Sequence, residues 1–198
     1  MNICVYGASS KTIDKKFIDQ IELLGETLAK RGHGLVFGGG KNGAMGASAR
    51  GAIRGGAKRV LGISPKFFDV DGVLFENCTE LVFTDTMRQR KKLLEEYADA
   101  FIIAPGGIGT FDEFFEILTL KQLAQHNKPM VIFDVDGYYK PLIELMQNAV
   151  DGEFMNQATM ELYFYTSSIE EVFDYIENYK YEMKELHEYK DVEKNVNK

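Results

Sequence analysis

Residues 100–113 read Ala100-Phe101-Ile102-Ile103-Ala104-Pro105-Gly106-Gly107-Ile108-Gly109-Thr110-Phe111-Asp112-Glu113. Their first five residues form an unbroken apolar run, which is typical of a strand covered on both faces. The following segment, from Phe111 to Gln125, repeats apolar residues at helical spacing. A strand that passes through a glycine-rich turn into a helix is half of a βαβ unit, so this part of the chain predicts a parallel sheet.

The same alternation of short apolar runs and longer helical segments extends over the rest of the chain. Strands are predicted at residues 3–6, 34–37, 60–64, 81–83, 100–104, 130–133 and 163–166. Helices are predicted at residues 14–31, 44–55, 88–98, 111–125, 139–151 and 169–179. This order predicts an α/β fold, with a Rossmann-like open, mostly parallel sheet flanked by helices on both faces. Ligands of such sheets bind beyond the carboxyl ends of the strands.

The composition is that of a globular protein, since 45% of the 198 residues are hydrophobic and 27% are charged. The formal net charge of −7 argues against nucleic acid or an anionic membrane as the main partner. We expect a single domain over residues 1–180 and a charged C-terminal tail at 181–198 without a catalytic role. The chain has no apolar run long enough to span a bilayer, no secretory signal at its start and only two cysteines. A cytoplasmic protein is therefore expected.

Two glycine-rich loops follow predicted strands, at residues 38–46 and 105–110. Glycines let the backbone approach a ligand closely, and free amides at a helix start attract anions. Thr110 and Glu113 also have the spacing of a capping box, which would explain both residues without a ligand. A GxGxxG match at residues 38–43 does not follow the first strand, so it is not a dinucleotide fingerprint. The candidate substrate-binding residues in these two loops are Gly39, Gly40, Gly106, Gly107, Gly109 and Thr110.

A basic segment, Met87-Arg88-Gln89-Arg90-Lys91-Lys92, begins the helix that precedes the strand at 100–104. Four cations in its first two turns oppose the helix macrodipole, so an anionic partner is expected. Pairing along the helix would join Lys91 to Glu95 and Lys92 to Glu96, and we adopt this explanation for Lys92. It does not account for Arg88 or Arg90.

Four motifs occur in one order: Gly38-Gly39-Gly40, Gly43-x-Met45-Gly46, Met87-x-x-Arg90-Lys91 and Pro105-Gly106-Gly107-x-Gly109-Thr110-x-x-Glu113. Over residues 3–166 this pattern resembles the Lonely Guy (LOG) family of cytokinin riboside 5'-monophosphate phosphoribohydrolases, often labelled lysine decarboxylase-like. The resemblance implies hydrolysis of the N-glycosidic bond of a nucleoside 5'-monophosphate, which releases free base and ribose 5-phosphate. It also implies a homodimer with sites near the interface. We expect neither a metal nor a cofactor.

The resemblance assigns phosphate binding to the loop at 105–110 and the chemistry to Arg90 and Glu113. Cleavage of a glycosidic bond builds positive charge on the sugar, which a carboxylate can stabilise while it orients or deprotonates water. An arginine fork can position phosphate, ribose or the glutamate. Glu116, one helical turn beyond Glu113, is a candidate for holding the ribose hydroxyls. The remaining predicted substrate-binding residues are Met87, Lys91, Ser9 and Ser10, although a plain turn explains the two serines equally well.

The chain departs from the family pattern beside Met87, since Thr86 stands where Asp is frequent and Arg88 where His is frequent. Base preference is therefore open, and a broader nucleosidase acting on AMP or another common monophosphate is an alternative. A second alternative is a non-catalytic binding protein for a phosphorylated ligand, similar to molybdenum-cofactor carrier proteins. Lysine decarboxylation is not expected, because no lysine has a convincing setting for a pyridoxal phosphate Schiff base.

Overall fold

The computed structural model describes residues 1–70 and 72–180, so the predicted tail at 181–198 lies outside the described residues. Within them, seven strands form one parallel sheet in the order β4-β3-β2-β1-β5-β6-β7. The predicted Rossmann-like α/β class is confirmed, and each strand ends within one residue of the predicted position. The strands are β1 (Asn2–Tyr6), β2 (Gly34–Phe37), β3 (Val60–Pro65), β4 (Glu80–Thr84), β5 (Ala100–Ile103), β6 (Met130–Phe133) and β7 (Phe164–Thr166).

Six helices accompany the sheet in the described part of the chain, and two short 3-10 turns lie at Lys66–Phe68 and Gln157–Glu161. Side-chain caps define three of the helix starts, and Ser168 provides the one at the last helix. The Asp14 side chain accepts the Lys16 N–H at 2.9 Å, and Thr86 and Gln89 form a capping box. The helices are α1 (Lys15–Lys30), α2 (Gly43–Arg54), α3 (Met87–Tyr97), α4 (Ile108–Gln122), α5 (Lys140–Asp151) and α6 (Ile169–Glu177).

The helices cover both faces of the sheet and bury a core on each side. On one face α1, α2 and α6 contribute buried residues, such as Leu24 and Phe173. On the other face α3, α4 and α5 do so, through residues that include Leu94, Phe114 and Met146. No helix among residues 1–70 and 72–180 combines the length and apolar character needed to cross a bilayer.

The direction in which strands are added reverses between β1 and β5. From β1 the chain adds strands outward to β4, and it then returns to place β5 on the other side of β1. Loops that leave the carboxyl ends of two such strands diverge and open a crevice between them. The Ala8 N–H donates to the Pro105 carbonyl at 3.1 Å, which ties the two loops together. This reversal determines where the site can form.

The start of α4 differs from the prediction, because the helix begins at Ile108 rather than at Phe111. Its N-cap is Gly107, and no side chain caps it. Thr110 is therefore the third helical residue and Glu113 the sixth, whereas a capping box needs the threonine at the N-cap. The capping-box interpretation of these two residues is wrong, so their burial needs another explanation.

Candidate active site

A cavity of about 420 Å³ lies at the carboxyl edge of the sheet, between the loops that follow β1, β2 and β5. The chain segments that form it are distant in sequence and meet because their strands are neighbours. Nine of the predicted site residues line this cavity: Ser9, Ser10, Gly40, Met87, Arg90, Gly107, Gly109, Thr110 and Glu113.

Arg90 and Glu113 form a buried ion pair in the cavity. Nη1 of Arg90 lies 2.7 Å from Oε1 of Glu113, and only 5% and 6% of the two residues are exposed. Nε of Arg90 also donates to the Ile63 carbonyl at 3.2 Å, at the end of β3. The guanidinium is thus held from two directions, and its fixed fork orients the carboxylate.

The protonation equilibrium of Glu113 is set by two opposing effects. Burial raises the pKa of the Glu113 carboxyl above its usual value, because an ionised carboxylate loses hydration. The Arg90 guanidinium opposes this rise, since it stabilises the charged form directly. A carboxylate with a raised pKa is a better general base than an exposed carboxylate, because its pKa lies closer to neutral pH.

Gly38 makes room for Arg90 and is a site residue that the sequence prediction did not include. A Cβ on Gly38 would lie 1.9 Å from Nη2 of Arg90 and 3.0 Å from the Met45 sulfur. Any other residue would require the guanidinium to move. The signal was present in the glycine-rich loop, but sequence alone does not show which of its glycines faces the arginine.

The start of α4 forms part of the cavity wall. Gly107, Ile108, Gly109 and Thr110 all line the cavity. The first N–H groups of a helix have no partner within the helix, and no side chain caps these. Because the macrodipole adds partial positive charge, this wall is suited to a phosphate.

Two of the predicted glycines act from behind the cavity surface, since neither Gly39 nor Gly106 is among its lining residues. A Cβ on Gly106 would lie 2.1 Å from Oγ1 of Thr110, so glycine allows the turn to pack on α4. Gly39 has a φ of +77°, a left-handed conformation that glycine adopts without strain.

Lys91 and Glu116 also lie outside the cavity lining, and their role in substrate binding stays a prediction. Nζ of Lys91 forms an ion pair with the Glu116 carboxylate and lies 3.0 Å from Oδ2 of Asp112. The proposed pairing of Lys91 with Glu95 is therefore replaced by contacts from α3 to α4. Lys92 does pair with Glu96, at 3.6 Å. Lys91 joins the two helices that carry Arg90 and Glu113.

The apolar side of the cavity was missed by the sequence analysis. Phe68, Val73 and Leu74, from the connection between β3 and β4, line it together with Met87 and Ile108. Backbone bonds attach this connection to the glycine loop, since the Lys41 N–H donates to the Val73 carbonyl at 2.9 Å. Ile108 is 85% exposed at the mouth. No motif marks these residues, because their position depends on how the connection folds back.

The fold and the site define a class: a Rossmann-like protein with a buried arginine–glutamate pair in a cavity that an uncapped helix start also lines. A sequence profile for the family described as "Possible lysine decarboxylase" matches residues 45–176. The chain is 35% identical over 177 residues to "Cytokinin riboside 5'-monophosphate phosphoribohydrolase LOG2" of Arabidopsis thaliana, covering 89% of this chain and 83% of that protein. The chain belongs to this family and to its Lonely Guy (LOG) members.

Other relatives agree with this membership. "Probable cytokinin riboside 5'-monophosphate phosphoribohydrolase LOGL6" of Oryza sativa subsp. japonica is 34% identical over 89% of this chain and 70% of that protein. Among solved structures, the molybdenum cofactor carrier protein of Chlamydomonas reinhardtii superposes with a TM-score of 0.67 at 18% identity. That match covers 89% of this chain and 95% of the carrier, and it shows a shared fold only.

Proposed function

We propose that this protein hydrolyses the N-glycosidic bond of a nucleoside 5'-monophosphate and releases free base and ribose 5-phosphate. The observation that carries the proposal is the buried pair of Arg90 and Glu113, whose atoms lie 2.7 Å apart in the cavity that the start of α4 lines. The named activity of the LOG relatives supports it.

The start of α4 binds the phosphate in this proposal. The amides there donate hydrogen bonds to the phosphate oxygens, and the macrodipole favours the negative charge. Ser9 and Ser10 line the same cavity from the loop after β1 and supply hydroxyl donors. These contacts fix the ribose relative to Glu113.

Glu113 promotes cleavage of the glycosidic bond in this proposal. As the bond between C1' and the base nitrogen lengthens, positive charge accumulates on the ribose ring, and the ionised carboxylate stabilises it. Water attacks C1' and gives a proton to Glu113, while the base leaves with the bonding electron pair and takes up a proton from solvent. Glu113 then returns its proton to solvent, which restores the carboxylate. Arg90 holds the carboxylate in position throughout.

The base is directed toward the apolar side of the cavity. Phe68, Leu74 and Met87 offer apolar surface there. An adenine with an apolar substituent buries more surface against these residues than AMP does, and each added buried methylene contributes about 0.8 kcal/mol. We therefore propose a cytokinin riboside monophosphate as the preferred substrate.

The test is incubation of the purified protein with AMP, GMP, CMP and isopentenyladenosine monophosphate, with assay of each for free base. Adenosine and isopentenyladenosine serve as controls without phosphate. We expect release from isopentenyladenosine monophosphate at the highest kcat/KM, and release from the nucleosides at least about 100-fold lower, because they forgo several charge-assisted hydrogen bonds. Equal kcat/KM for adenosine and AMP contradicts the phosphate assignment.

The second candidate is a non-catalytic binding protein for a phosphorylated ligand. Its support is the shared fold with the molybdenum cofactor carrier protein. The same incubation distinguishes the two, since a binding protein retains its ligand and releases no base over many turnovers.

We further propose that the protein works as a homodimer in the cytoplasm. A groove between α4 and α5 is lined by Phe115, Leu145 and Phe154. Leu145 is 62% exposed and Phe154 is 90% exposed, and exposed apolar side chains in one groove support the proposal of an interface there. Because α4 also lines the cavity, such an interface lies near the site. Both cysteines are free thiols, which fits a reducing compartment.

A further inference from the structure

Two consecutive tyrosines lie behind the loop that joins β5 to α4. The Tyr138 hydroxyl donates to the Gly106 carbonyl at 2.5 Å, and the Tyr139 hydroxyl donates to the Ala104 carbonyl at 2.8 Å. Both come from the connection between β6 and α5, the neighbouring strand and its helix. Neither tyrosine lines the cavity, so any role in binding is exerted through the loop.

The Tyr138 bond acts on a peptide group that faces the cavity on its other side. In a trans peptide the C=O and the following N–H point in opposite directions. With the Gly106 carbonyl turned toward Tyr138, the N–H of Gly107 points away from Tyr138. Gly107 lines the cavity, and within the described chain its amide donates to no carbonyl or side chain.

This peptide lies between two glycines, where rotation of the peptide plane meets little steric resistance. A rotated plane would present the Gly106 carbonyl to the cavity, and a carbonyl oxygen repels an anion. Some contact must therefore select between the two orientations. The Tyr138 hydroxyl is placed to do so, because it bonds the carbonyl in only one of them.

Tyr138 itself is held in place by its neighbours. Its ring meets the Phe17 ring edge to face at a centroid distance of 5.9 Å and the Tyr139 ring at 5.0 Å. The Tyr139 backbone N–H donates to Oδ1 of Asp134 at 2.8 Å, which anchors the connection to the end of β6. The hydroxyl therefore has a fixed position.

We propose that Tyr138 is a positioning residue that locks the Gly106–Gly107 peptide with its N–H directed into the cavity, and so sets the affinity for phosphate. The inference rests on the proposed function in that the anion is the 5'-phosphate of the substrate. It goes beyond that function by assigning affinity to a residue that does not contact the ligand.

Tyr138→Phe is the test, and Tyr139→Phe is its matched control. Each variant loses one hydroxyl bond to the same loop, but the carbonyl released in Tyr139→Phe precedes Pro105, which has no N–H to orient. For Tyr138→Phe we expect Kd for ribose 5-phosphate and for inorganic phosphate to rise about 3- to 10-fold, as the loss of one hydrogen bond implies. KM for the monophosphate should rise similarly with kcat within about twofold.

The binding measurement is a titration of protein labelled with 15N-glycine, followed by NMR, with thermal unfolding as a check on folding. In the wild type, phosphate should shift the Gly107 amide resonance. An unshifted Gly107 resonance, unchanged phosphate affinity in Tyr138→Phe, or an equal loss in Tyr139→Phe overturns the inference. If the wild type hydrolyses no monophosphate, the proposed function fails, yet the titration still decides the role of Tyr138.

Discussion

Glu113 is an acidic residue that the fold buries beside a permanent cation. An isolated carboxylate would not stay ionised at 6% exposure, since it loses several kcal/mol of hydration. Arg90 restores much of that loss at 2.7 Å. The ionised state of the proposed catalytic carboxylate therefore depends on both members of the pair, and each member can be tested separately.

Replacing Glu113 by Gln keeps the size of the side chain but removes its charge. We expect kcat on the best monophosphate to fall by about 100-fold or more, the range for a positioned acid or base. Thermal unfolding should show that the variant still folds, because the amide oxygen still accepts a bond from Arg90. Near wild-type turnover would refute the catalytic assignment.

The acid limb of the wild-type pH profile should report the same carboxyl. Because burial raises the pKa of Glu113, kcat/KM should fall at a pH above the usual range for a glutamate. Activity is present where Glu113 is ionised and is lost as pH falls through its pKa. A profile with an unshifted limb indicates that another group controls turnover.

Arg90 and Arg88 provide a matched pair of arginines on α3. Arg90 is buried and bonded to Glu113 and Ile63, whereas Arg88 is exposed. Arg90→Lys keeps the charge but loses the fork, so kcat/KM should fall about 10-fold or more, the value of a charge-assisted hydrogen bond. Arg88→Lys should change it by less than about twofold. Equal, small effects mean that the arginines act only as a diffuse positive field.

At the scale of elements, α4 lines two separate concave regions along its length. Its first turn lines the cavity, and its later residues Phe115 and Leu118 line the groove beside α5. Beyond its end, His126 is packed against the helix, with Nε2 at 2.8 Å from the Ile117 carbonyl. The other ring nitrogen, Nδ1, accepts the Lys128 N–H at 3.2 Å. This arrangement requires a neutral imidazole.

His126 should make the stability of the fold depend on pH. Burial lowers the pKa of His126 to about 4, below its unfolded value near 6.5. Neutral His126 therefore makes its full contribution to the free energy of unfolding above pH 6.5. This contribution decreases as pH falls toward 4, by up to about 3 kcal/mol.

Urea unfolding of His126→Gln at several pH values tests this prediction. The variant should lose most of the dependence between pH 6.5 and 4. His33→Gln is the control, because His33 is paired with Glu177 instead of being buried against a carbonyl. Parallel pH curves for the wild type and His126→Gln would exclude this source of the dependence.

At the scale of the whole molecule, the proposed dimer should depend on the groove between α4 and α5. Phe154→Asp places a charge at an apolar side chain that is 90% exposed in the single chain. We expect sedimentation to show a monomer for this variant, since a desolvated, unpaired charge costs several kcal/mol at an interface. Leu23→Asp, at an exposed leucine on α1, should leave the assembly unchanged. A monomeric wild type, or a dimeric Phe154→Asp variant, contradicts the proposed interface.

The order of elements along the chain was sufficient to predict the sheet and the edge at which the site lies. Apolar runs such as residues 34–37 and 130–133 are covered on both faces. Their apolar composition predicts this burial directly. Glycines after β2 and β5 are equally visible. Local signals of this kind persist in the fold because each depends on only a few neighbouring residues.

The tertiary structure decided which of these residues meet. Arg90 and Glu113 are 23 residues apart in the sequence. Lys91 pairs with acidic residues on α4 and not with Glu95 on its own helix. The predicted start of α4 was wrong because no capping side chain marks the true start. The path of the backbone after β5 determines where the helix begins. Gly38 and the apolar wall at Phe68 are defined by contacts across strands. Such contacts arise from sheet order and packing, which sum interactions over the whole chain and leave no local pattern.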